Sequence, residues 1–550
     1  MKVLILGGYG VFGGRLARLL IRDGIEVVIT GRNLKKASAF AGEIGGAALQ
    51  LDIAGDLSPI LQAAPNVVVD AAGPFQSYRA DPYRLARFCI RHGMNYLDFS
   101  DDAGFAAGIS ALDREAQAAG CFALSGASSV PAISAAAARA LSEGLSEILL
   151  IESAIVPGNR APRGRSLISA ILSQTGEPLR IWRGGRWRLH RGWSGMKTLS
   201  FGEFQRRASL IGVPDLKLFP PVFGARSVLF RAGLELGIMH WGLGLLGFLR
   251  AYKLLPRLSL FLGPIEWLSR KLEPFGSSRG AMLVEVTGLE NGKSLRRRWL
   301  LLVNKGDGPF IPAVPARALI RKHDSIKPGA RACLFDVTLG EIESGTAGLS
   351  VCTFLSGQPA PALFETVLEE RWDELPGQIR ELHCVQDVED YAGQAQVTGG
   401  SGLLARCVAW LFNFPRAGEN IALTVTKSAM RHGEKWERNF AGRRFRSCLS
   451  PSRRPFHIRE RFFAFTFEQE LAVAERSLSY TVRRGWFLGI PLPAFLLPWS
   501  KAREYVDCGG FHFDVALYAP LTGGLIVRYR GFLRPFTMDE EGPRLAQEPL

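Results

Sequence analysis

The chain's first candidate chemistry lies in three glycines. Gly8-Tyr9-Gly10-Val11-Phe12-Gly13 follows the strand formers Lys2–Leu6 and leads into a helical pattern carrying Phe12, Leu16, Leu19 and Leu20 on one face. In such a loop the first glycine permits a tight turn, and the second leaves room for a pyrophosphate against the backbone. The third lets the helix pack close to the strand. Free N–H groups and the helix dipole at that point attract phosphate. The spacing alone is a weak signal; a strand before it and a helix after it make it a dinucleotide-binding loop. The second strand, Glu26–Thr30, runs into Gly31-Arg32. An NAD site usually holds the ribose 2′-hydroxyl there with a carboxylate, which would repel a 2′-phosphate. A guanidinium pairs with that phosphate in a fork. The residue types therefore favour NADP, with NAD as the alternative and with a solvent-facing or adenine-stacked Arg32 as the competing role. Asp52, just past the third strand, either reaches the adenine amino group or caps its own loop.

The later strand ends supply the remaining candidates. Asp70-Ala71-Ala72-Gly73-Pro74-Phe75 puts small residues at the edge where such sheets bind ligand, so Ala72, Gly73 and Pro74 are read as the ribose and nicotinamide wall. Asn95–Asp102 places Asp98, Ser100 and Asp101 at the same edge, as candidates to orient substrate or relay a proton. Helix capping is the competing role for Ser100 and Asp101. No Tyr-xxx-Lys pair stands near residue 150, and neither a GxSxG elbow nor a GKS/T loop is present. The eight cysteines and eight histidines are dispersed, without CxxC, HxH or HExxH spacing, so no metal site is expected and the thiols read as reduced.

The elements needed to position these residues follow from the hydropathy pattern. Short apolar runs at Lys2–Leu6, Glu26–Thr30, Ala47–Leu51, Val67–Asp70, Tyr96–Phe99 and Phe122–Leu124 alternate with helical patterns, notably Asp81–Arg91 and Phe105–Ala119. This rhythm predicts a doubly wound parallel sheet over residues 1–130. Residues 131–365 read as a second, α+β domain, with an Ala-rich helix at Val130–Leu141, a strand at Ile148–Ile155 and a hairpin at Arg180–Trp193. Within it, 219–272 is the most apolar stretch of the chain. It carries Glu235 and His240, is rich in glycine, and is flanked by Arg226, Arg231, Arg250, Lys253 and Arg257. That composition favours a buried helical pair or helices lying on a bilayer surface over a membrane span. Residues 377–535 alternate apolar and polar positions, as in Phe511, Phe513, Val515 and Leu517, which predicts mainly antiparallel β structure interrupted by a helix at Leu403–Phe412. The tail, 536–550, is acidic and is read as disordered.

Taken together, GGYGVFG, TGR, DAAGPFQ, GMNYLDFSDD and the loop reaching Val130-Pro131 resemble the saccharopine dehydrogenase-like (saccharopine reductase-like) oxidoreductases. Arg279–Val286 and Gly308–Ala316 resemble that family's second domain, so the likeness spans roughly the first 360 residues. It implies NADP-type binding by Gly8, Gly10, Gly13, Arg32 and the Ala72-Gly73-Pro74 loop. Arg483–Pro493 and Gly510–Val515 resemble a bacterial C-terminal domain of unknown function found fused to such reductases.

The family resemblance does not fix the substrate. The apolar, Arg-flanked 219–272 departs from a site for a small, doubly charged amino acid, and points to an apolar or lipid-like one. The alternatives are a non-catalytic lipid or membrane-surface binding protein on a reductase scaffold, and saccharopine-type chemistry using Arg163, Arg165 and Arg180. The excess of 67 Lys and Arg over 51 Asp and Glu gives a net charge of +16, with no nucleic-acid motif to use it. The opening MKVLILGG reads as a strand rather than a secretory segment. A cytoplasmic protein is expected, with peripheral contact at the inner face of the membrane and a homodimer both left open.

Overall fold

The computed structural model describes residues 1–75, 78, 81–162, 165–255 and 257–536, without the side chains of 165, 166 and 259. Arg163 and the tail from 537 therefore lie outside the described residues, as does the side chain of Arg165. The chain forms two compact units. The first comprises 1–182, 187–286 and 296–357; the second comprises 183–186, 287–295 and the residues from 358 onward.

In the first unit, six short runs form the parallel strands β1 (Lys2–Leu6), β2 (Glu26–Gly31), β3 (Ala47–Gln50), β4 (Val67–Asp70), β5 (Asn95–Asp98) and β6 (Phe122–Ser125). Their order is β6-β5-β4-β1-β2-β3, so the chain switches sides at β1, which has β4 on one side and β2 on the other. Ligands bind such sheets at that switch, beyond the strands' carboxyl ends. β1 is covered on both faces: Val3 and Ile5 join one apolar core, Leu4 and Leu6 another. A seventh strand, Gly329–Ala332, pairs in parallel with β6 and extends the sheet from far downstream. Its Gly-Ala-Arg-Ala sequence is too short and too weakly apolar to register as a strand.

Two expected helices differ in detail. The pattern at Phe105–Ala119 folds as Ala103–Gly108, a 3₁₀ turn Ile109–Leu112 and Asp113–Ala118. The Ala-rich helix begins only at Ser134, because Val130 precedes Pro131 and is held extended (φ −127°, ψ 129°), away from helical geometry.

A second, mixed sheet of seven strands takes in the strand expected at Ile148–Ile155, which spans Glu147–Val156, and its neighbours Ser227–Gly233 and Gly280–Glu290. The apolar stretch supplies two helices, Gly237–Ala251 and Leu262–Leu272. Leu243, Leu246, Leu262 and Ile265 pack inward against Ile168, Leu172 and Leu258. Ile238, Trp241, Leu245, Phe248 and Tyr252 recur at intervals of three and four residues, and each is more than half exposed. Among the described residues no helix is long and apolar enough to cross a membrane.

The second unit realises the expected antiparallel strands as a closed ring. Ten antiparallel strands run from Val388–Gly399 to Leu525–Pro535, each pairing with its neighbour in chain order. The Val388–Gly399 strand also pairs with Leu525–Pro535, so the ring closes as an up-and-down barrel. Inward positions such as Leu423, Val425 and Lys427 alternate with Thr424 and Thr426. Helices Leu363–Leu368 and Gly377–His383 close one end. There the Phe364 ring lies 3.9 Å from that of His383. His383 Nε2 meets Glu504 at 2.6 Å, and Lys427 Nζ donates to the Leu382 carbonyl at 2.9 Å. Burial pushes the Lys427 ammonium down to about 7 and the His383 imidazole down to about 4, while Glu504 is held below its ordinary value by His383 and Lys427.

Candidate active site

The glycine loop turns immediately beyond β1. The positive φ falls on Gly7 (+66°) rather than Gly8, and a Cβ on Gly7 would sit 2.8 Å from the Ala71 carbonyl. This corrects the turn role assigned to Gly8, which instead packs under Ile29 and donates its amide N–H to the Thr30 carbonyl at 3.1 Å. A Cβ on Gly13 would stand 2.5 Å from the Gly7 carbonyl, so that residue sets the close approach of the helix Gly13–Arg22 to the loop. The amides of Val11, Phe12 and Gly13 form no backbone hydrogen bond among the described residues. Three free donors at a helix start form an anion cradle.

The loop is one wall of a pocket of about 840 Å³, whose lining includes Tyr9, Gly10, Val11, Phe12, Arg32, Asp52, Ala72, Gly73 and Pro74. Nine of the eleven predicted cofactor residues are thus gathered there; Gly8 and Gly13 are not part of the lining. Tyr9 lies over Gly31, where a Cβ would collide with its ring at 2.5 Å. Arg32 is exposed at the rim. Asp52 Oδ1 accepts from the Ala54 amide at 3.1 Å, so it caps its loop and lines the pocket at once. A cradle that side chains would fill, open donors and a cationic rim fit a dinucleotide bearing a 2′-phosphate.

The three acidic-edge candidates separate. Asp98 and Ser100 are completely buried and do not line the pocket. Asp98 Oδ1 accepts from the amides of Ser100 (2.9 Å) and Gly126 (2.8 Å) and from Ser125 Oγ (2.8 Å), tying β5 to the loop after β6. Burial pushes its carboxyl up to about 7 against the pull of those hydrogen bonds. Ser100 Oγ accepts from the Asp102 amide at 3.2 Å, and Asp102 in turn caps the helix beginning at Ala103. Asp101 is exposed and lines the pocket.

Two groups were missed by the sequence reading. Asp70, register partner of Asp98 on the adjacent strand, is buried, and its carboxyl is pushed up to about 6 by burial. Tyr78 lines the pocket, and its hydroxyl donates to Asp70 at 3.3 Å. Desolvation and the charge of Asp70 raise the phenol, so it stays protonated throughout the neutral range. Tyr78 lies in a loop outside any period, and only its distance of eight residues from the strand end hinted at it. The pocket's other side is apolar: Phe75, Phe99, Leu167 and Ala170. Arg180 is exposed and is not part of the lining.

A switch-point pocket beside a glycine loop, with a cationic rim and a tyrosine held by a buried aspartate, defines a dinucleotide-binding site. Residues 3–124 match the family model of the saccharopine dehydrogenase NADP binding domain, and 375–533 match that of a domain of unknown function, DUF4166. The chain thus joins an NADP binding domain of the saccharopine dehydrogenase type to a DUF4166 domain, and is an NADP-binding oxidoreductase. Among solved structures it is similar to apo saccharopine dehydrogenase (L-Glu forming) from Saccharomyces cerevisiae, at 14% identity over 64% of this chain and 99% of that one, TM-score 0.45. It is also similar to a probable dehydrogenase from Thermotoga maritima, at 10% identity over 63% and 95%, TM-score 0.34. No curated protein matches the chain.

Proposed function

We propose that the protein transfers hydride between NADP and an apolar, lipid-like substrate. One observation carries the substrate class: the helix Arg165–Gln174 is shared between the pocket and the apolar helical pair. Leu167 and Ala170 line the pocket, while Ile168 and Leu172 pack into the cluster with Leu243, Leu246 and Leu258. An apolar wall thus runs from the pocket to helices whose outward stripe is itself apolar, which favours peripheral contact with a bilayer by that stripe.

When bound, the nicotinamide supplies or accepts the hydride. Gly10, Gly13 and the open amides hold the pyrophosphate, and Arg32 holds the 2′-phosphate. Tyr78 is assigned as the proton carrier at the substrate, with Asp70 fixing its hydroxyl and sharing the proton. Asp101, at the pocket edge, orients polar groups of the substrate.

The test is fluorescence titration of the full chain with NADPH and NADH, followed by NADPH consumption with long-chain enoyl lipids and, in the reverse sense, NADP reduction with saccharopine. NADPH binding about tenfold tighter than NADH, with turnover of the lipid, is expected. Absence of binding by either cofactor would remove the reading. NADPH binding without turnover of any substrate would favour the lipid-binding alternative, and turnover of saccharopine alone would overturn the substrate class.

A further inference from the structure

The barrel has two unlike ends. Its up-and-down order sends the connections 400–417, 441–442, 463–464, 488–498 and 519–524 to one end, opposite the helices that pack on His383. Register fixes this sidedness: Phe440 pairs with Arg443, Phe462 with Phe465, Phe465 with Phe487, and Trp499 with Tyr518. Four separate connections at that end each present large apolar side chains to solvent. Leu403, Trp410, Phe463, Leu488, Phe495 and Leu521 are 63–86% exposed. At the other end the turns 431–432, 453–454 and 475–476 carry Arg431, His432, Arg453, Arg454, Glu475 and Arg476.

Three of the apolar tips occupy left-handed backbone: Phe463 (φ +49°), Leu488 (+50°) and Leu521 (+67°). Asn or Gly is the unstrained choice there, and a bulky apolar residue is uncommon. Folding therefore gives no reason for these side chains, which neither pack nor relieve the turn. None of the five connections contains an acidic residue, while Arg406 and Arg416 within them are exposed; just behind them, exposed Glu419 is outnumbered by exposed Arg444 and Arg484.

We propose that this end of the barrel is a bilayer-inserting tip that seats its aromatic and aliphatic prongs at the headgroup–acyl boundary of an anionic membrane. Trp and Phe suit that depth, and a rim of arginine meets lipid phosphate. The charge pattern disfavours a second copy of the chain: a twofold contact would set this basic end against itself with no acidic partner in the connections. The barrel does not span the bilayer, since its outward positions carry Lys435, Glu437, Arg444, Arg446, Arg459 and Arg461, the reverse of a lipid-facing wall. This tip belongs to the second unit and stands independently of the pocket and of the helical pair in the first.

The test is co-sedimentation of the full chain with phosphatidylcholine vesicles, with and without about 30 mol% phosphatidylglycerol. The double variant Phe463→Asn, Leu488→Asn is compared with Trp241→Ser, Trp267→Ser in the helical pair. Because Asn favours left-handed backbone, the barrel variant keeps its fold, which thermal melting checks. An approximately fivefold or greater loss of binding to anionic vesicles in the barrel variant, with NADPH binding unchanged, is expected. Unaltered vesicle binding in that variant, or no vesicle binding by the parent, overturns the proposal. So does a dimer in the parent that the barrel variant converts to monomer. Failure to bind NADPH would sink the oxidoreductase reading while leaving the vesicle result untouched.

Discussion

Replacing Arg32 with Asp puts a carboxylate at the rim where the 2′-phosphate would lie. Titration should show NADPH affinity falling by at least about tenfold while NADH affinity holds or rises. Tyr78→Phe keeps the ring against Phe75, 5.5 Å between centroids, and removes only the hydroxyl. Turnover should fall by roughly 10²-fold with NADPH affinity unchanged, and a drop of less than about threefold would dismiss Tyr78 as the proton carrier. Asp98 gives a stability prediction. Its folded value is raised to about 7, so its favourable contribution is complete below the unfolded carboxylate range and disappears as pH rises through 7. Asp98→Asn retains an oxygen for the three donors and should flatten this slope. Urea unfolding should show the variant gaining on the order of 2 kcal/mol relative to the parent between pH 5 and pH 8. At this scale the glycines and Arg32 were legible because their types and spacing have few other uses. Tyr78 was not, since a loop residue acquires its partner only when β4 and the loop after it fold back together.

The helices and strands carry their own predictions. Helix Val314–Arg321 is fastened to the end of the Gly13–Arg22 helix by Arg317, which donates to Asp23 at 2.7 and 2.6 Å and to the Gly345 carbonyl at 2.8 Å. Arg317 is buried, so Arg317→Ala leaves Asp23 without its partner and the Gly345 carbonyl unsatisfied. A loss of about 3 kcal/mol is expected in denaturant unfolding. Strands ending in glycine or aspartate were readable from sequence because a parallel sheet buries both faces and leaves continuous apolar runs. The stripe Ile238–Tyr252 was readable as helical, yet its direction was not. The period is the same whether the stripe faces a core or solvent, and only packing of Leu243 and Leu246 against Ile168 and Leu172 decides it.

For the whole molecule, alternation along 377–535 announced antiparallel strands but not their closure. Closure depends on Tyr391 meeting Pro535 and Gly399 meeting Val527, contacts between the two ends of the segment that no local pattern encodes. The same holds for the first unit, where the sequence suggested a self-sufficient domain ending near residue 130. A fragment ending at Val130 would leave the edge of β6 unpaired where Gly329–Ala332 normally lies. It should associate or precipitate on size-exclusion chromatography, whereas the full chain should not. That late strand also has a consequence for synthesis. About two hundred residues separate it from β6. At roughly 5–20 residues per second, a ribosome leaves the edge of the sheet open for on the order of 10–40 seconds after β6 is made. During that interval the nascent chain carries a complete phosphate loop on an incomplete sheet. Cofactor capture on the ribosome would therefore come only after more than half of the polypeptide has emerged, and a chaperone that shields bare strand edges has its natural window there.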